Sequence, residues 1–223
     1  MKKKNKDKEI KTLKETAQII QRSEEDKQNF LFQHFEKFYK IEPRNENKFD
    51  SFLSEIKTKI NDEDNSELIR PIDGNELKLT VNEMLDEKTP GVDGFPAEFF
   101  KTFYEYLKEP LVQLYNAILQ SGITPQSFKT GAITLIFKGR GKDLIKNWRP
   151  ISLLCIDYKI LAKIITNRLK KHFNDIINPF QTGAIPDRNI IDNLSGLRNV
   201  IEDANTKSPG AILSLDYKKL SIE

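Results

Sequence analysis

Apolar residues recur with helical spacing over most of the chain and alternate with a period of two in one stretch. Phe30, Leu31, Phe35, Phe38 and Tyr39 fall near the helical rhythm, and Phe49, Phe52, Leu53, Ile56 and Ile60 repeat it after a turn around Pro43. Their regular stripe favours core packing over base stacking, since neither segment carries a basic face. Asp73 with Glu76 three residues on reads as a capping box opening a helix with Leu77, Val81, Met84 and Leu85 on one face, which Pro90 ends by Thr89. The turn-rich run Lys88 to Gly94 then places a boundary between residues 1–87 and 88–223. Pro96 and Pro110 each suit the first position of a helix, the first bearing Phe99, Phe100, Phe103 and Leu107, the second Leu111, Leu114, Tyr115, Ile118 and Leu119 up to Gly122. Asp157 can cap a helix with Ile160, Leu161, Ile164, Ile165 and Leu169 inward and Lys159, Lys163, Lys170 and Lys171 outward. A loop at Phe180 to Arg188 precedes an amphipathic segment with Ile190, Ile191, Leu194, Leu197, Val200 and Ile201. Ala211 to Asp216 is a short strand of buried type ending on a carboxylate.

The exception to helical spacing is Ala132 to Leu154. Ile133, Leu135 and Phe137 alternate with Ala132, Thr134 and Ile136, and Gly139 and Gly141 supply a turn, so the stretch predicts a hairpin. Lys138, Arg140, Lys142, Lys146 and Arg149 crowd its tip and return arm. Such a cluster either holds something anionic or keeps an edge hairpin from aggregating. Gly139-Arg140-Gly141-Lys142 is no phosphate-binding P-loop, because that motif needs four residues between its glycines and a Ser or Thr after the Lys.

Composition adds the location of the charge. The 223 residues, 38% hydrophobic and 31% charged, suit one large globular domain or two small ones. Lys129 to His172 holds eleven Lys or Arg against two Asp, a local balance of +9, so with a formal total of +3 the rest of the chain carries −6. Concentrated basicity of this kind fits a nucleic-acid or nucleotide-phosphate surface. The single cysteine, Cys155, excludes an internal disulfide and fits a reducing compartment, so an intracellular place in cytoplasm or nucleus is expected. No apolar run is long enough to span a membrane, and no membrane partner is expected.

Several ordered motifs resemble those of reverse transcriptases from LINE-type non-LTR retrotransposons. Lys88-Thr89-Pro90-Gly91-Val92-Asp93-Gly94 resembles the family's Lys-Ser-Pro-Gly-x-Asp-Gly block, and Leu135-Ile136-Phe137-Lys138 the strand that usually ends Ile-Pro-Lys. The most specific part is Asn147-Trp148-Arg149-Pro150-Ile151-Ser152-Leu153-Leu154, followed by Tyr158-Lys159-Ile160-Leu161 and Asn167-Arg168-Leu169. Gln181-Thr182-Gly183 resembles the next fingers motif and Leu213-Ser214-Leu215-Asp216 the palm strand with the first catalytic aspartate. The resemblance runs from about Asp73 onward, and Phe30 to Tyr39 is similar to the region that links endonuclease to polymerase in these proteins.

The resemblance implies an α+β chain: an N-terminal helical segment over residues 1–87, then the fingers and first palm strand of a right-hand, RNA-directed DNA polymerase over 88–223. Its partners would be an RNA template, a DNA primer and deoxynucleoside triphosphates, with Mg²⁺ as cofactor. Lys138 and Arg149 fall where the family grips the triphosphate, and Asp216 where a catalytic carboxylate binds metal. Arg140, Lys142, Gln181, Gly183 and Arg188 would lie near template or nucleotide. The chain also departs from the pattern. Tyr217 to Glu223 stands where the family's Ala-Phe-Asp follows, Gly183-Ala184 where Gly-Phe is usual, and Asp187 where Gly is usual. No adjacent Asp-Asp pair occurs, so the Tyr-x-Asp-Asp hairpin is absent from the 223 residues. The expectation is therefore a fragment inactive by itself, with a non-catalytic, basic nucleic-acid-binding remnant as the alternative.

Overall fold

A computed structural model describes residues 23–40, 50–51, 53–54, 60–139 and 141–206. The expected strand at 211–216, with Asp216, lies outside the described residues, as do Arg140 and most of the second aromatic segment around Phe49 and Phe52. Among the described residues the structure consists of helices and one hairpin, in keeping with the α+β expectation. In order they are α1 (Glu24–Tyr39), α2 (Asp62–Ile69), α3 (Gly74–Asn82), α4 (Ala97–Thr102), α5 (Tyr104–Ser121), β1 (Ala132–Phe137), β2 (Trp148–Leu153), α6 (Ile156–Lys170), α7 (Phe173–Ile176) and α8 (Ile190–Thr206). They form two compact units that cross the chain order: one combines α1 with the β1–β2 hairpin, the other α2 to α5 with α6 to α8.

The helical unit is built on an apolar core from α3, α4, α5 and α6, with Leu77, Tyr115, Ile160 and Ile164 fully buried. Tyr115 keeps its polar end satisfied by donating its hydroxyl to the Asp157 carbonyl at 2.8 Å, and burial pushes its phenol far above the ordinary range. Asn116 on the same helix pairs with both backbone groups of Ile72, accepting at 2.7 Å and donating at 2.9 Å. Helix α5 ends as expected on Gly122, whose φ of 69° is the left-handed conformation that glycine reaches without steric cost.

The helix boundaries expected at Pro110 and Asp157 differ. Pro110 does not start a helix but sits inside α5, which begins at Tyr104; the carbonyl that loses its partner belongs to Tyr106, which is 82% exposed. The break falls instead at Phe103. Asp157 does not cap α6, since Cys155 holds the cap position and Asp157 lies in the first turn. At α3 the Asp73 carboxylate accepts from the amides of Asn75 and Glu76 at 2.8 and 2.9 Å, as a cap should. Its expected reciprocal partner is diverted: Glu76 turns to Arg168.

Arg168 is only 7% exposed, and every part of its guanidinium is used. Nε and Nη2 donate to the two Glu76 carboxylate oxygens at 2.8 and 2.6 Å. Nη1 donates to the carbonyls of Leu68 and Arg70 at 2.8 and 2.7 Å. One side chain of α6 thereby orients α3 and terminates α2. Around it Lys171 meets Glu67 at 2.6 Å and Lys163 meets Glu83 at 3.3 Å. Two of the four lysines of the expected basic rim, Lys163 and Lys171, are thus complemented by acids.

The Lys88 to Gly94 turn is also fixed to α6. A Cβ on Gly91 would stand 2.5 Å from the Cys155 nitrogen and 2.7 Å from the Leu154 carbonyl carbon, atoms that cannot rotate away. Glycine is required here by close backbone approach.

Two outcomes are expected from this packing. Arg168→Met, which leaves two carbonyls without their donor and Glu76 with only the longer Arg70 contact at 3.4 Å, should lower the urea unfolding free energy by about 3 kcal/mol, and a loss below about 1 kcal/mol would refute the central role of the ion pair. Gly91→Ala should cost about 1–3 kcal/mol through overpacking, and a neutral effect by the same measurement would show that the loop can move aside.

Candidate functional site

The hairpin unit begins from the antiparallel pairing of β1 and β2, which sets Phe137 opposite Trp148 and Ile136 opposite Arg149. One further bond, from the Lys138 amide to the Asn147 carbonyl at 2.7 Å, carries the ladder into the loop. Asn147 Nδ2 donates to the Gly141 carbonyl at 2.9 Å, and Trp148 Nε1 donates to the Lys142 carbonyl at 2.8 Å. Gly141, at φ 88°, makes the turn that these bonds close. The Asn-Trp pair ahead of Arg149 is therefore a clamp on the loop, a task its sequence did not reveal.

Trp148 does a second job from the same position. With Ile145 it is buried against Phe30, Leu31 and Phe35 of α1, and its ring lies 5.2 Å from that of Phe137. The period-2 alternation of β2 explains the arrangement: Trp148 and Pro150 are buried, and Arg149 between them is half-buried. Lys138 and Arg149 then line one cleft of about 400 Å³ together with Lys146 and with His34, Phe35 and Phe38 of α1. Among the described residues no carboxylate lies within ion-pair distance of Lys138, Lys146 or Arg149, in contrast to the paired lysines of α6. An anionic group entering the cleft would meet cations that have no carboxylate partner among the described residues.

The other expected site residues lie elsewhere. Lys142 holds its ammonium 5.8 Å from the Phe137 ring centroid. Gln181, Gly183 and Arg188 share a loop of the helical unit. There Arg188 donates to the carbonyls of Asn178, Gln181 and Ile177 at 2.6, 3.0 and 3.0 Å, so its guanidinium organises the loop itself. Gln181 and Gly183 are exposed. Asp187, where the resembled family has Gly, adopts φ 61°, the backbone region glycine favours. Asp216 and Arg140 lie outside the described residues.

Of the described residues, Asp93, Cys155 and Asp157 form a possible metal-ligating group, with ligand atoms within 4.8 Å of one another. Mg²⁺ prefers an all-oxygen shell with near-ideal octahedral geometry, and a buried thiol does not suit it. This group among the described residues thus offers no fit for the implied Mg²⁺. Burial first, and the Asp93 charge after it, hold the half-buried Asp157 carboxyl above its ordinary value, while the Tyr158 amide opposes them.

Residues 137–220 match the family of reverse transcriptases (RNA-dependent DNA polymerases), a span that includes Lys138, Arg149, Gln181, Arg188 and Asp216. The chain is 38% identical over 150 residues to an uncharacterised 149 kDa protein of transposon TX1 from Xenopus laevis, covering 67% of this chain and 12% of that protein. It is 32% identical over 120 residues to a probable RNA-directed DNA polymerase from transposon BS of Drosophila melanogaster, covering 53% and 13%. It is also 29% identical over 111 residues to the RNA-directed DNA polymerase from the mobile element jockey of the same fly, covering 48% and 12%. The chain thus spans about an eighth of these relatives. Among the described residues no helix is long and apolar enough to cross a membrane.

The state of Asp157 gives a pH-dependent prediction. Its folded value exceeds its unfolded one, so its contribution to stability is full below the ordinary carboxylate range, near pH ~3.9, and is lost as pH rises through the folded value. Asp157→Asn should therefore be more stable than the parent at pH 7, and the advantage should vanish as the pH falls below about 4. Thermal melts at several pH values would show this, and a variant less stable at pH 7 would contradict it.

Proposed function

Because the chain carries a stretch of LINE-type, non-LTR retrotransposon reverse transcriptase, we propose that its hairpin unit is the part of a right-hand polymerase that grips the incoming deoxynucleoside triphosphate during RNA-templated DNA synthesis. The observation that supports this reading is the shared cleft of Lys138 and Arg149, two cations brought together by strand pairing and left without a described carboxylate partner. Arg149 can meet phosphate oxygens through two parallel N–H bonds, whereas Lys138 supplies a compact point charge. Phosphoryl transfer relies chiefly on positioning and charge stabilisation, so a clamp tied down by Asn147 and Trp148 suits it.

The remaining assignments belong to the same proposal. Asp216 would be a metal-binding catalytic carboxylate, with Mg²⁺ as the ion, in the polymerase region over residues 88–223. Gln181, Gly183, Arg140 and Lys142 would lie along template or nucleotide, with Arg188 shaping the loop that presents Gln181. An RNA template and a DNA primer would be the partners, inside the cell, in cytoplasm or nucleus.

The test is a fusion in which the palm and thumb of a close relative follow Asp216. Lys138→Ala or Arg149→Ala should raise the apparent KM for deoxynucleotides about tenfold or more, as expected from losing about 1.5–3 kcal/mol of charged hydrogen bonding. Asp216→Asn should abolish synthesis. An unchanged KM in both cation variants would overturn the triphosphate assignment, and an active Asp216→Asn fusion would overturn the carboxylate assignment.

A further inference from the structure

We propose that α1 forms one wall of the nucleotide cleft, and that His34 and Phe38 receive the nucleobase of the deoxynucleoside triphosphate whose phosphates Lys138 and Arg149 hold. The phosphate half rests on the function proposed above; the base half rests on α1, which lies outside the residues matched to the reverse transcriptase family.

The two sides of the cleft differ in chemistry. The hairpin side presents Lys138, Lys146 and Arg149, and the α1 side presents His34, Phe35 and Phe38. Its volume of about 400 Å³ falls within the ~300–1,000 Å³ of sites for small molecules and cofactors. Residues four apart on a helix stand one above the other, so His34 and Phe38 share a face. Their neighbour Phe35 is used for packing against Ile145 and Trp148. Phe38 is not part of that cluster and stays half-buried, its ring meeting Tyr39 edge-on at 5.4 Å. Phe38 is half-buried like Phe35, but it lines the cleft without joining the packed cluster. Its half-buried ring lines the same cleft as three cations, the pairing of a stacking surface for a base with charges for its phosphates. Stacking on a ring face accepts any base, as a polymerase that copies all four requires.

The experiment measures binding of two probes, 2′-deoxyadenosine 5′-triphosphate and inorganic tripolyphosphate, to the 223-residue chain by calorimetric titration. Phe38→Leu keeps an apolar side chain for packing and removes the stacking face. It should weaken the deoxynucleotide about tenfold and leave tripolyphosphate unchanged, while Phe38→Trp restores deoxynucleotide affinity. Lys138→Ala and Arg149→Ala should weaken both probes. If the cation variants act but Phe38→Leu leaves deoxynucleotide affinity intact, or weakens both probes equally, the α1 wall is refuted and the phosphate grip stands. If neither cation variant changes either probe, the phosphate grip falls, and the inference falls with it. Circular dichroism of each variant separates loss of binding from loss of the helix.

Discussion

The buried pairing of Arg168 with Glu76 is the constraint on which the helical unit depends. Bringing a guanidinium to 7% exposure is costly unless its donors are all engaged, and here a carboxylate and the backbone carbonyls of the α2 to α3 connection accept them. The consequence is geometric. Carbonyls at the end of α2 would otherwise need water, and Glu76 would otherwise complete the cap of α3. With Arg168 between them, α2, α3 and α6 are held in an arrangement that satisfies the guanidinium, the Glu76 carboxylate and the carbonyls of Leu68 and Arg70.

Charge is then divided between two tasks. The excess of cations in Lys129 to His172 looks like a single basic surface when counted along the chain, but folding sorts it. On α6, Lys163, Lys171 and Arg168 take Glu83, Glu67 and Glu76, so part of the acidity elsewhere in the chain is spent at that helix. In the hairpin, Lys138, Lys146 and Arg149 face a cleft with no described carboxylate against them. Exposed pairs contribute little to stability, so their effect on α6 is mainly to neutralise it as an anion-binding face.

The hairpin in turn needs a support, because two strands alone are marginally stable in water. Support comes from α1, whose Phe30, Leu31 and Phe35 cover Trp148 and Ile145. A segment far upstream in sequence thus belongs to the same compact unit as the hairpin, while the residues between them build the other unit. Trp148 couples support to site, since its ring is held by α1 and its indole N–H closes the loop at Lys142.

Local patterns were enough to determine the amphipathic helices, the Gly122 stop, the hairpin and the cation cluster, because each depends on residues within a turn or a strand pair of one another. The motifs around Pro-Gly-Val-Asp-Gly and Asn-Trp-Arg-Pro likewise carried the family, since they are read in order along the chain. What the sequence alone could not decide depended on partners distant in the chain. Glu76 is a cap residue by spacing and an ion-pair partner by fold, because Arg168 lies ninety-two positions away. Gly91 marks a turn by spacing and a backbone contact by fold, because Cys155 presses on it. The aromatic stripe of α1 predicted packing, which Phe35 fulfils, but only the return of the hairpin to that helix placed His34 and Phe38 beside Lys138 and Arg149. Period and propensity fix which face of an element is apolar; the tertiary structure decides what that face meets.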